Sequence, residues 1–574
     1  MSKIALVAIN SKYIHSNLAV YSLKAYCTQN IRQGCQIEIL EFTINQHRDA
    51  ILRGIYTQKP RIVAFSCYIW NISLVLELAG TLKKILPDCD IWLGGPEVSF
   101  RAESFLQEHP EIDLILVGEG EASFSELAEL YGSEEEPSPE QLSRIKGITT
   151  RNGYTGDREL LSLDELPFVY ETMEPFENRI IYYESSRGCP FGCSYCLSSI
   201  DKKLRFKSLP KVFHELSILL EHKVPQVKFV DRTFNADKER TKQLLQFILE
   251  NDNGVTNLHF EIAADLMTKE ELAILQKMRP GLVQLEIGVQ STNPDTIREI
   301  HRVTDLDRVK AVVEQIRRQG NIHQHLDLIA GLPMEDLKSF ERSFDEVYRM
   351  RPNQLQLGFL KVLKGTYMEQ MQENYELVYQ DKEPFEVLST KWLSYQEILW
   401  LKRIEEMVEV YYNSGQYAHT LRYLESFFDS PYALYSYLAG FYENGGFFEK
   451  NHTRIARYTL LQACFEEYLM KLGQEEAVEC LKGLLILDLY LRENLKTRPA
   501  FAPGVEQKET IKELLGQYKK EITGYLHIEA FSPNVLRQAG FLTDETVSAP
   551  VFVLFDYTRR DPLNHNAKLE ILQQ

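Results

Sequence analysis

No apolar run in the chain reaches eighteen residues, which leaves no candidate for a membrane-spanning helix. Basic charge is in short supply as well. The 64 Lys and Arg stand against 82 Asp and Glu, and a net charge of −18 opposes non-specific attraction to a phosphate backbone, so nucleic acid is a disfavoured partner. Internal repeats are missing, and the one short biased stretch, the acidic run at 132–140, reads as a solvated loop. Nine cysteines is an odd count, and the N-terminal residues show no secretory leader pattern. Both observations argue against a disulfide framework and predict reduced thiols in a cytoplasmic protein.

What is present is an ordinary globular composition, 44% hydrophobic and 25% charged, at a length of 574 residues that implies three or four domains. Strands are readable at 4–9, 36–40, 61–66, 90–94 and 114–118 with amphipathic helices between them, the pattern of a doubly wound α/β sheet. A Pro-rich acidic stretch follows, then a polar segment to about 175, read as boundary and connector. The βα rhythm restarts with strands at 180–184, 226–230, 258–262, 283–289, 326–330 and 354–359, as in a partial barrel. Beyond about 365 helical, aromatic-rich segments take over. The predicted division is 1–135, 136–178, 179–370 and 371–574.

The chemistry concentrates at 186–197, where Cys189, Cys193 and Cys196 are packed as CxxxCxxC after the first barrel strand. Three soft thiolates without a fourth suggest a metal cluster with one open corner. Structural zinc is the competing reading, but it lacks a fourth ligand: the next histidine, His214, sits alone in an apparent helix.

The cysteine spacing, with Tyr195 before the last cysteine, resembles the radical S-adenosylmethionine (SAM) superfamily. That resemblance implies a [4Fe–4S] cluster on Cys189, Cys193 and Cys196 whose free iron is chelated by SAM. It extends along the barrel. Asp231, in Phe229-Val-Asp-Arg-Thr-Phe-Asn235, lies where the superfamily places the SAM amino group; Glu286 and Gln290, on one face of the next-but-one strand, are expected at ribose hydroxyls or substrate; Gly331, in Leu328-Ile-Ala-Gly-Leu-Pro333, is expected beside the adenine. For Glu286 the structural alternative is an ion pair with Arg302 or another base. His323 and His325 are set aside as structural.

The N-terminal unit resembles the cobalamin-binding domains that precede such barrels. Ser66 ends strand three, Gly94 and Gly95 end strand four, and Val117-Gly-Glu-Gly-Glu121 also fits. The histidine motif does not fit, because Tyr13 stands where its Asp belongs and Leu18 where its Gly belongs. Cobalamin without a protein axial ligand is therefore expected, with His15 or His47 as the alternative, and a flavodoxin-like domain that has lost its cofactor as the competing fold-only reading. The last two hundred residues resemble an uncharacterised domain of cobalamin-type radical SAM proteins. Cys464 and Cys480 are too few for a second cluster.

The expected fold is thus α/β: a flavodoxin-like doubly wound domain, a partial (βα)6 TIM-type barrel and a mostly α-helical C-terminal domain. The expected activity is radical C–H activation with an electron from a flavodoxin or ferredoxin, and methyl transfer from methylcobalamin to a small-molecule substrate. The alternatives are a cobalamin-dependent rearrangement or cyclisation, and a non-catalytic zinc scaffold.

Overall fold

The computed structural model describes residues 2–31, 35–132, 136–200, 203–502, 504, 506–521 and 524–572. Part of the acidic loop read at 132–140, residues 133–135, lies outside them.

The first sheet holds β1 (Lys3–Asn10), β2 (Gln36–Thr43), β3 (Ile62–Ser66), β4 (Asp90–Gly94) and β5 (Leu114–Leu116) in the order 2-1-3-4-5, all parallel. This is the flavodoxin order. Strand β1 explains why the sheet is covered on both sides. Ala5, Val7 and Ile9 enter one apolar core, Ile4, Leu6 and Ala8 another, so its apolar run does not alternate with polar residues. The sheet continues into the stretch read as connector: β6 (Ile148–Thr150) pairs antiparallel with β5 and with β7 (Gly153–Tyr154).

The second sheet contains β8 (Ile181–Tyr183), then, after the short antiparallel pair β9 (Ser186–Arg187) and β10 (Arg205–Phe206), the strands β11 (Gln226–Phe229), β12 (Asn257–Ile262), β13 (Val283–Gln290), β14 (His323–Ala330) and β15 (Gln354–Phe359). Six parallel strands run in the order β15-β14-β13-β12-β11-β8, an open barrel wall. Along β13 the outward residues Val283, Leu285, Ile287 and Val289 are buried against helices, while Gln284, Glu286, Gly288 and Gln290 form the half-buried inner face. The lumen is therefore polar.

The two sheets are tied together. Ile180 donates its N–H to the Ile14 carbonyl (2.9 Å) and accepts from the Ser16 hydroxyl (3.2 Å); Arg179 pairs with Glu41 (2.5 Å) and Arg187 with Glu121 (2.5 Å). The C-terminal helices, among them Tyr395–Met407, Pro431–Asn444 and Arg454–Lys471, share the apolar core of the barrel. This mostly helical unit also holds three antiparallel strands, Leu526–Phe531, Val551–Arg560 and Ala567–Leu572. Residues 551–556 are buried on both faces, so no polar alternation marks them in the sequence. Among the described residues, no helix is long and apolar enough to cross a membrane.

Candidate functional site

The cysteine loop leaves β9 through Gly188, at φ +91°, where a Cβ would lie 2.4 Å from the Lys203 carbonyl oxygen. Only glycine fits this tight exit. Cys189 and Cys193 are buried and Cys196 half-buried, and none is in a disulfide. The loop is fastened from several sides: Cys189 Sγ contacts Thr233 Oγ1 (3.5 Å), Ser194 donates its N–H to the Ile300 carbonyl (2.9 Å), and its own carbonyl accepts from Met368 (2.9 Å). Arg302 donates to Cys193 Sγ (3.7 Å), to Tyr195 Oη (3.5 Å) and to the Gly288 carbonyl (2.5 Å). Burial pushes the Cys193 thiol up, and the Arg302 charge opposes that rise.

The donor set fits an iron–sulfur cluster. Three thiols sit on one short loop, a guanidinium lies against the Cys193 sulfur, and the buried Arg302 Nε and Ser194 Oγ have no hydrogen-bond partner. Zinc fits less well. Among the described residues, only Glu286, His325 and Asp327 bring three ligand atoms within 4.8 Å of one another, whereas tetrahedral zinc bound at about 2.3 Å holds its sulfurs about 3.8 Å apart.

Asp231 is fully buried under this loop. It accepts from the Ser185 N–H (3.0 Å) and hydroxyl (3.1 Å) and from the Ser186 hydroxyl (2.6 Å), and burial pushes its carboxyl up to about 6. Both oxygens thus hydrogen-bond the segment that launches the cysteines, Oδ2 through a single bond. Glu286 does not pair with Arg302. Its partners are Lys228 (3.2 Å) and His259 (3.0 Å); against the opposing effect of burial, the His259 contact and the Lys228 charge hold it down at about 2. Gln290, at φ +72° beside a bulge in the β13–β14 pairing, keeps a buried Oε1 without a partner. Gly331 is buried at φ +88°, and a Cβ there would meet Val387 Cγ1 at 2.7 Å. Close packing and a left-handed turn account for this glycine without an adenine ring.

Ser66, Gly94 and Gly95 line one cavity of about 700 Å³ at the C-terminal ends of β3 and β4. Gly95, at φ +116°, is forced by the Cys67 carbonyl oxygen, 2.4 Å from where a Cβ would stand; Gly118, at φ +76°, faces open space. Tyr68 and Trp70, stacked with ring centroids 4.4 Å apart, also line it. The opposite wall belongs to the barrel: Glu184, Arg187, Leu197, Ser198 and Arg232. Leu197 follows Cys196 directly, so one cavity joins the glycine ledge to the cysteine loop. Among the described residues, no histidine lines it. His15 contacts Tyr182 Oη through Nδ1 (2.6 Å), and burial together with the charges of Lys12 and Lys228 lowers its pKa; His47 is exposed before the helix Arg48–Tyr56.

A second cavity, of about 640 Å³, opens on the other side of Tyr195. Ile329 and Gly358 of the barrel face Leu399, Lys402 and Glu405 of the helix Tyr395–Met407 across it. Arg302 enters the sequence reading only as a partner for Glu286, and His259 and the C-terminal wall do not enter it; no spacing or motif connects them to the cysteines.

Three family models match consecutive parts of the chain: the B12 binding domain over residues 4–128, the radical SAM superfamily over 183–347 and a protein of unknown function (DUF4080) over 373–555. The chain resembles the cobalamin-dependent radical SAM methyltransferase TokK of Streptomyces tokunonensis, with 24% identity over 376 residues covering 59% of this chain and 52% of TokK. It also resembles an anaerobic magnesium-protoporphyrin IX monomethyl ester cyclase of Rubrivivax gelatinosus, with 22% identity over 353 residues covering 56% and 60%. It spans about half the length of the first of these relatives. Among solved structures, the cobalamin-dependent SAM radical enzyme OxsB superposes with a TM-score of 0.56 at 16% identity, over 90% of this chain and 75% of OxsB, which shows a shared fold. The chain is a B12-binding-domain radical SAM protein with a DUF4080 C-terminal domain.

Proposed function

We propose that this protein is a cobalamin-dependent radical SAM enzyme that methylates a carbon of a small molecule. The observation that carries this reading is the continuous cavity between the glycine ledge of the first sheet and the cysteine loop of the second. When bound, the cluster and SAM supply a 5′-deoxyadenosyl radical for hydrogen abstraction, and cobalamin supplies a transferable methyl group.

The residues' own part is holding and shielding. Cys189, Cys193 and Cys196 would hold a [4Fe–4S] cluster with one iron left for SAM. The buried Gln290 Oε1, which has no partner, would be available to SAM, and backbone carbonyls at 231–233 would receive its ammonium. Gly94, Gly95 and Gly118 would admit the corrin and its tail, and Ser66 would hydrogen-bond it. Among the described residues no histidine lines the cavity, so these residues would hold cobalamin through backbone and hydroxyl contacts. The electron would come from a flavodoxin or ferredoxin. The second cavity, walled by the DUF4080 domain, is the place for the substrate.

A cobalamin-dependent cyclisation is the second reading, favoured by the cyclase similarity. Anaerobic incubation with SAM, reductant and cobalamin separates the two. S-adenosylhomocysteine formed alongside 5′-deoxyadenosine supports methyl transfer; 5′-deoxyadenosine alone supports cyclisation and sinks methylation.

A further inference from the structure

In the barrel lumen, at the level of Gly288 and one layer below it, lies a second set of metal-type donors. His323, His325 and Asp327 occur as H-x-H-x-D on β14, so all three share one face. In the parallel register His325 stands opposite Glu286 of β13, and β13 is flanked on its other side by β12, which carries His259. The fold thus gathers on three adjacent strands residues 259, 286, 325 and 327, which are scattered in sequence.

The atoms converge closely. Glu286, His325 and Asp327 each present one ligand atom, all within 4.8 Å of one another. His325 Nε2 is 3.0 Å from Asp327 Oδ1, and His259 Nε2 is 3.0 Å from Glu286 Oε2. His259 and His325 are each only 6% exposed. Despite these separations, His259 Nε2, His325 Nε2 and Asp327 Oδ1 have no hydrogen-bond partner, because the contacts lack hydrogen-bond geometry. A plain ion-pair network would aim the N–H at the oxygen. Donor atoms about 3.0 Å apart without a well-aligned hydrogen bond between them are spaced like adjacent ligands around a six-coordinate ion with bonds of about 2.1 Å. Lys228, 3.2 Å from Glu286 Oε2, is placed to orient that carboxylate from outside.

We propose that Glu286, His325 and Asp327 bind one divalent first-row transition-metal ion in the barrel lumen, separate from the cysteine cluster, with His259 holding Glu286 from outside. Imidazole and carboxylate donors without a thiolate select Mn²⁺, Fe²⁺, Co²⁺ or Zn²⁺. The ion joins β13 and β14 where their inner faces carry charge.

The test is a Mn²⁺ titration of the full-length protein after anaerobic cluster reconstitution, read by loss of the free-ion EPR signal, with Zn²⁺ as competitor. Binding of about one Mn²⁺ per chain that Zn²⁺ displaces is expected. His325→Ala and the near-isosteric Glu286→Gln should each lose at least tenfold in affinity. The triple variant Cys189→Ala/Cys193→Ala/Cys196→Ala should keep the site, which separates this result from any failure of the radical chemistry. No stoichiometric binding by the wild type overturns the proposal, as does binding unchanged in both lumen variants or abolished in the cysteine variant. Should His325→Ala fail to fold, Glu286→Gln and the wild-type stoichiometry decide alone.

Discussion

The guanidinium of Arg302 bridges two structures that sequence keeps far apart, donating to the sulfur of Cys193 at 3.7 Å and to the carbonyl of Gly288 at 2.5 Å. A hydrogen-bonded cation beside a cluster sulfur favours the more negative, reduced state. Arg302→Gln should therefore make the cluster harder to reduce, lowering its midpoint potential by on the order of 60 mV, the equivalent of a tenfold change for one electron. Potentiometric titration of the reconstituted protein checks this. An unchanged or raised potential would show that the arginine acts only on loop packing.

Gly95 leads to a stability prediction with a cofactor readout. Alanine at a φ of +116° with its Cβ 2.4 Å from the Cys67 carbonyl oxygen is strained, and backbone strain of this kind costs about 1–3 kcal/mol. Gly95→Ala should melt earlier and retain less corrinoid, measured by calorimetry and by absorbance of the bound cofactor. Gly118→Ala, with nothing within 4 Å of its Cβ, should cost less stability and still reduce corrinoid retention.

Asp231 sets a pH dependence. Its carboxyl is raised by burial from 3.8 to about 6, so the folded chain holds the proton more tightly than the unfolded one. Stability from this group is complete below its unfolded pKa and is lost as pH rises through about 6. Between pH 4 and pH 7 the wild type should lose on the order of 2–3 kcal/mol relative to Asp231→Asn in urea unfolding. Parallel pH curves for the two proteins would contradict this.

His15 should be dispensable for cobalt. It is tied to Tyr182 and absent from the cavity lining, so His15→Ala should leave the absorption spectrum of bound cobalamin unchanged. A spectral shift on this substitution would identify it as a ligand.

These residues differ in how far the sequence alone could identify them. Cys189, Cys193, Cys196, Gly94 and Gly95 follow strands in short motifs, so local order exposes them. Gly331 shows the limit of that logic: the motif marks a position where a side chain is excluded, but Val387, 56 residues later, is what fills the space. His325 and Glu286 meet only through the register of two parallel strands, and Arg302 reaches Cys193 across more than a hundred residues. Such pairings depend on long-range packing and leave no local period. The strand at 551–560 went unread for a different reason, because residues 551–556 are buried on both faces and carry no polar alternation.

The buried pairs Arg187–Glu121 and Arg179–Glu41 bear on how the two domains hold together. Each carboxylate belongs to the first sheet's domain and each guanidinium to the barrel, and all four side chains are at most 16% exposed. Losing one member of such a pair costs about 3–5 kcal/mol, because the other is left as an isolated buried charge. Substituting one member of either pair, with both domains still in place, leaves the other charge buried at the seam, so Glu41→Ala or Glu121→Ala should loosen one domain from the other.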